Sequence, residues 1–218
     1  MQEKKITKRN KKNKLNQKAL LKKTNYKKYF TKLVRIIREI IVIRYGHRTV
    51  RDYRVTSHCA LVARALGAKE IIICGDKDES MKKSVDDVTK RWGGPFKVSF
   101  EEDWKNVFKK LKKKKIKLAH LTMYGENITG IEKKLKKEQK IAVLIGSQKV
   151  EREVYEKVDY NIAITHQPHS EIAALAIFLD RYQEGKELEK KFKNKKICIK
   201  GQKNGKKVVN LKRVGSKR

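Results

Sequence analysis

The segments IAVLIGSQKV (141–150) and YNIAITHQPHSEIAALAIFLDRY (160–182) decide the fold. Ile141–Gly146 and Tyr160–Ile164 are short, apolar and rich in β-branched residues, which is how strands buried on both faces read. The second leaves into a polar loop and then a pattern with a different period. Ile172, Leu175, Ala176 and Leu179 recur at i, i+3, i+4 and i+7, the buried stripe of a helix, and Ser170 stands where its start needs a cap. Strand, loop and helix in that order predict a βα unit rather than a hairpin.

Upstream, the same alternation continues. Strand-like runs at Ile40–Ile43, Ile71–Cys74, Lys97–Phe100 and Ile116–Leu121 are separated by helical patterns at 56–66, 81–91, 103–115 and 128–137. Such alternation predicts an α/β fold: a largely parallel sheet with helices on both faces. Beyond residue 185, two short strand candidates, Ile197–Lys200 and Val208–Leu211, flank Gly201 and Gly205. The expected organisation is a basic extension over 1–38, flexible or helical, one folded domain over 39–185, and a basic tail over 186–218.

The formal net charge of +34 lies far above the magnitude of about 2–8 usual for a small domain. It is concentrated at the ends, with 15 Lys/Arg against one acidic residue in 1–38 and 14 against two in 186–218. A polyanionic partner follows, and nucleic acid fits best, because Lys and Arg that neutralise phosphates release counterions. Anionic lipid is the weaker candidate, since no run approaches about 18 apolar residues, and no membrane partner is expected. Cys59, Cys74 and Cys198 stand far apart without a CxxC pair, which argues against structural zinc and disulfides and fits a reducing cytoplasm. Nothing in 1–32 reads as a secretory signal.

Open parallel sheets bind ligands beyond the carboxyl ends of their strands, so chemistry is sought in the loops there. RYGHRTVRDYR (44–54) crowds arginines beside a glycine and an aspartate, planar forks suited to phosphate and ribose oxygens. LTMYG (121–125) leads a strand into a glycine turn. Gly146–Val150 and Ile164–Glu171 follow two further strands without a phosphate-binding glycine motif. His166, His169 and Glu171 are better employed in turn and capping bonds than on a metal, so no metal is expected. Ser170 beside His169 lacks the GxSxG setting of a hydrolase.

RYGHRTVRDYRVTSHCALVARALGA, SVDDVTKRWGGPF, HLTMYG, IGSQKV and YNIAITHQPHSEIAALAIFLDR together resemble the archaeal tRNA (cytidine(56)-2′-O)-methyltransferase family, a branch of the SPOUT superfamily. The likeness runs from about residue 41 to 185. It implies a SPOUT methyltransferase fold with a deep trefoil knot in its C-terminal part, and a homodimer with the active site at the subunit interface. The implied activity is methyl transfer from S-adenosyl-L-methionine to the 2′-hydroxyl of cytidine 56 in tRNA.

By the same resemblance, the cofactor contacts Leu121, the loop formed by Gly146, Ser147, Gln148, Lys149 and Val150, and the loop formed by Ile164, Thr165, His166, Gln167, Pro168, His169, Ser170 and Glu171. Ser147-Gln148 and Thr165-His166 vary the family's usual Ala-Glu and Gly-Asn. The pattern RDxR is intact, making Arg54 the first candidate for catalysis and Arg51 the second; Leu61 stands where the wider superfamily carries an arginine. Two other functions fit the composition: a non-enzymatic RNA-binding or ribosome-associated protein with the same fold, and a SPOUT methyltransferase acting on another RNA nucleotide.

Overall fold

The computed structural model describes residues 38–147 and 149–211. The expected N-terminal extension up to residue 37, Gln148, and the tail beyond residue 211 lie outside the described residues. Those described belong to a single compact unit.

Six parallel strands form the sheet: β1 (Glu39–His47), β2 (Glu70–Gly75), β3 (Lys97–Glu101), β4 (Lys117–Asn127), β5 (Lys140–Gly146) and β6 (Tyr160–Ala163), in spatial order β3-β2-β1-β5-β4-β6. Between them run α1 (Thr49–Ala65), α2 (Glu79–Trp92), α3 (Trp104–Lys113), α4 (Ile128–Leu135) and α5 (Arg152–Lys157), and α6 (Glu171–Gln183) follows β6. Every strand and helix expected from the alternation is present. The short α5 was not anticipated.

Alternation within β1 builds two cores. Ile40 and Val42 face a cluster that takes in Cys59 and Ala63 of α1, Met81 and Val85 of α2, Ile131 of α4, and Leu175 and Phe178 of α6. Ile41, Ile43 and Tyr45 face the other side, against Trp104, Phe108 and Leu111 of α3 and Val154 of α5. Helices thus cover both faces, and the central strands are buried on both, which is why they read as unbroken apolar runs. Burying these side chains supplies the main drive to fold, at about 25 cal/mol per Å² of apolar surface.

Two helix boundaries bear on function. The segment 44–54 was expected as a loop, but β1 extends to His47 and α1 begins at Thr49, so Arg51 and Arg54 are helical. Ser170 does cap α6: its Oγ accepts from Ile172 N at 3.1 Å. The buried side of α6 includes Ala174, Phe178 and Tyr182 beside the expected Leu175 and Leu179, while Ala176 is only half-buried.

After a 3₁₀ turn at Lys186–Glu189, strands β7 (Ile197–Ile199) and β8 (Val208–Asn210) pair antiparallel, as the glycines between them suggested. This tail is stitched to the body: Gly94 N donates to Lys193 O at 3.0 Å, and Arg64 reaches Gly93 O at 2.5 Å with its guanidinium over Phe192. No described helix is long and apolar enough to cross a membrane.

Candidate active site

The carboxyl ends of β4 and β5 and the start of α6 enclose a cleft of about 400 Å³. Its apolar wall includes Leu121, Ile145, Val150, Pro168 and Ala174. Polar groups converge from His120, Thr122, Tyr155, Lys149 and Glu171. That size and mixture suit a nucleoside-sized ligand, for which pockets run from about 300 to 1,000 Å³.

Of the residues expected at a cofactor, Leu121, Gly146, Lys149, Val150, Gln167, Pro168, His169 and Glu171 line this cleft. Ser147 is turned away: its N donates to Tyr45 O at 3.0 Å and its hydroxyl lies within donating reach of the Tyr45 and Gly46 carbonyls at the end of β1, anchoring the loop from behind. His166 donates from Nδ1 to Met123 O at 2.8 Å, tying the β6 exit to the β4 exit. Thr165 accepts from Gln167 N at 3.3 Å and Ser170 caps α6, so both shape the loop. Ile164 packs against the core. Arg51 and Arg54 are exposed on α1 and do not line the cleft of their own chain.

Arg44 carries the support behind the cleft. Its buried guanidinium donates to Thr56 Oγ1 at 3.3 Å, to Gly146 O at 2.8 Å and to Glu171 Oε1 at 3.1 Å. One side chain thereby joins β1, α1, the exit of β5 and the first turn of α6. The Thr56 hydroxyl also lies 2.9 Å from His47 Nδ1, which extends the bonded chain from Arg44 to the end of β1. His47 Nε2 faces Asp78 Oδ2 at 4.0 Å. Burial pushes the His47 pKa down more strongly than Asp78 raises it.

His120, in the cleft floor, is also buried, and its Nδ1 lies 3.1 Å from Asn161 Oδ1. Asn161 uses its amide nitrogen on Tyr155 O at 2.8 Å, and the Tyr155 ring meets His120 edge to face at 4.7 Å. Desolvation lowers the His120 pKa to about 4, against a smaller opposing effect of the Asn161 bond. At neutral pH His120 leaves the floor uncharged, while the walls carry Lys149 and Glu171, whose carboxylate is paired with Arg44.

Sequence reasoning missed Arg44 as a buried support, and it missed His120, Tyr155 and Tyr124 as lining groups. The HLTMYG motif held a signal for two of them, since it places His120 and Tyr124 on either side of Leu121. Among the described residues, no group of three or more His, Cys, Asp or Glu side chains is placed to hold a metal ion.

A family model described as tRNA ribose 2′-O-methyltransferase, aTrm56, matches residues 92–209. The tRNA (cytidine(56)-2′-O)-methyltransferase of Pyrococcus horikoshii is 52% identical over 176 residues, covering 79% of this chain and 85% of the relative. The enzyme of the same name from Methanopyrus kandleri is 48% identical over 78% of this chain and 96% of the relative, and that from Nitrosopumilus maritimus 45% identical over 78% and 95%. Among solved structures, the SpoU methyltransferase AviRb from Streptomyces viridochromogenes, in complex with AdoMet, superposes with a TM-score of 0.51 at 15% identity, over 69% of this chain and 58% of that one. The A. aeolicus TrmH/SpoU tRNA modifying enzyme superposes with a TM-score of 0.50 at 11% identity, over 71% and 78%. At such identities these neighbours show the fold alone, that of the SpoU methyltransferases, and this chain spans under three-fifths of AviRb. With the family model matched over more than half its length, and relatives of about half-identical sequence over nearly four-fifths of it, the chain belongs to the tRNA ribose 2′-O-methyltransferase family aTrm56.

Proposed function

We propose that the protein transfers a methyl group from S-adenosyl-L-methionine to the 2′-hydroxyl of cytidine 56 in tRNA. The observation that carries this reading is the cleft at the ends of β4 and β5, built from the motif residues of a chain 52% identical to an enzyme named for that reaction. The residues fit the cofactor. Leu121, Ile145, Val150, Pro168 and Ala174 offer an apolar surface for the adenosine, while Glu171 and the neutral His120 supply polar groups beside it.

When bound, S-adenosyl-L-methionine supplies a methyl group on a positively charged sulfur. The chain's own task is to orient the ribose, exclude water and favour charge on the attacking oxygen. Arg54, with Arg51 second, is assigned to that oxygen. A guanidinium stays protonated at any pH below about 12, so it acts by charge and alignment, and water or a phosphate takes the proton.

Arg54 reaches the reaction only if the site is completed by a second copy. Val50, Tyr53 and Leu61 form an exposed apolar stripe on α1 beside Arg51 and Arg54, and Ile177 adds to it from α6, which packs on α1. A homodimer buries this stripe and delivers arginines of one protomer to the cleft of its partner. The trefoil threading belongs to the same reading. The basic ends hold tRNA by its phosphates, and a reducing cytoplasm suits the buried free thiols of Cys59 and Cys74.

Calorimetric titration with S-adenosyl-L-methionine tests the reading. One cofactor bound per chain is expected. No binding at millimolar cofactor would favour the non-enzymatic RNA-binding alternative.

A further inference from the structure

β4 is interrupted where it borders the cleft. It pairs with β6 through Ala119–Leu121 and again through Glu126–Asn127, with the register broken between Leu121 and Glu126. Residues 122–125 are pushed out of the ladder, and Tyr124 stands at the crest with 78% of its surface exposed. The backbone around it is nonetheless held. Met123 O accepts from His166 at 2.8 Å, Tyr124 N donates to Thr122 Oγ1 at 3.4 Å, and Gly125 lies against the β6 backbone with no room for a Cβ.

Tyr124 is among the residues that line the cleft, as is the exposed Lys149, and its ring joins none of the aromatic pairs among the described residues. A large ring held in water on a fixed backbone has its binding conformation nearly set in advance, since a tyrosine has only two side-chain torsions to fix. Unstacked bases of RNA are held on such faces, and base–aromatic stacking needs no particular base edge. A net charge of +34 makes a polyanion such as RNA the partner that the protein attracts.

We propose that Tyr124 is a stacking platform for the base of the nucleotide that is methylated, contacting the substrate directly and fixing how its ribose enters the cleft. This rests on the functional reading above. It separates two tasks along one strand: Leu121 faces the cofactor, and Tyr124, three residues on, faces the RNA.

The test compares wild type with Tyr124→Leu and Tyr124→Phe, measuring Kd for S-adenosyl-L-methionine, Kd for an unmodified tRNA transcript, methyl transfer, and quenching of a fluorescent cytidine analogue at the target position. Leu should weaken transcript binding by about tenfold and abolish quenching. Its cofactor Kd should stay within about twofold, and Phe, which keeps the ring face, should recover most of the loss. A Leu variant whose cofactor affinity falls instead would assign the ring to the adenine and overturn the proposal. So would a change in oligomeric state, which would make Tyr124 an interface residue, or a Leu variant that binds and quenches like wild type. Failure of the wild type to methylate tRNA would overturn the functional reading itself, whatever the variants do.

Discussion

Arg44 at the end of β1 and Glu171 at the start of α6 form an ion pair of 3.1 Å, with the arginine side chain 1% exposed and the glutamate 31% exposed. The pair closes the back of the cleft, since Glu171 lines it and Arg44 also holds Gly146 O. Removing Arg44 empties a buried volume and leaves Gly146 O without its donor, whereas Glu171→Gln keeps both the volume and an acceptor for the guanidinium. The two halves of the pair therefore respond differently to substitution. Arg44→Ala should lower stability by about 3 kcal/mol or more and abolish cofactor binding, with Arg44→Lys failing to restore it because one ammonium cannot reach three acceptors on three elements. Glu171→Gln keeps a neutral acceptor but leaves the buried guanidinium without its counter-charge, and should cost about 1–3 kcal/mol. Thermal denaturation with calorimetric cofactor titration measures both, and an Arg44→Ala protein of wild-type stability would remove Arg44 from this role.

Arg54→Ala should abolish methyl transfer while cofactor Kd stays near wild type, because the side chain lies outside the cleft of its own chain. If the arginine is delivered across a dimer interface, mixing this variant with Val150→Arg, which puts bulk and charge into the cleft, should regenerate active heterodimers. Mixed subunits are assayed for tritium transfer. An inactive mixture of two stable, exchanging variants would contradict the shared site, and an active Arg54→Ala homodimer would remove Arg54 from the chemistry.

The pH dependence of stability follows from His120. Its folded pKa of about 4 lies below the ordinary 6.5, so the folded state binds the proton less tightly than the unfolded chain. The sign is fixed: stability is fully present above about pH 6.5 and is lost as pH falls toward 4, by up to roughly 3 kcal/mol. His47, lowered by burial as well, adds in the same direction. Urea denaturation at pH 7 and pH 4.5 should show the loss in wild type and a shallower one in His120→Asn. Equal acid slopes would deny His120 this contribution.

The basic ends give a prediction that depends on charge alone. Deleting residues 1–32, which carry 13 Lys/Arg and one acidic residue, should weaken tRNA affinity and flatten its dependence on salt. Filter binding between about 50 and 200 mM salt reads both quantities. An unchanged slope would mean that the extension makes no phosphate contact.

The alternation of strands and helices was legible because each buried strand is a continuous β-branched run and each helix carries an apolar stripe. Arg44 was not, since an arginine in a charged stretch reads as surface. What hides it is burial on both faces of β1, a tertiary property, although its position directly after Ile40–Ile43 was a usable hint. The start of α1 was misplaced for a related reason: arginines beside Gly46 resemble a loop, while Thr49 and Asp52 in fact begin a helix. The floor of the cleft joins His120 to Asn161, 41 residues apart, through a pairing of β4 with β6 that no local pattern announces. The loops 146–150 and 164–171 were found from their places after strands and from resemblance. Which of their side chains face the cleft, and which brace it as Ser147 does, depends on hydrogen bonds to β1 that only the folded chain reveals.

The most direct measurement incubates the protein with tritiated S-adenosyl-L-methionine and an unmodified tRNA transcript, then locates the label by nuclease digestion and mass spectrometry. The account predicts one methyl group on the ribose of cytidine 56. Label on another nucleotide would contradict the assigned target, and bound cofactor with no transfer to any nucleotide would contradict the assigned reaction.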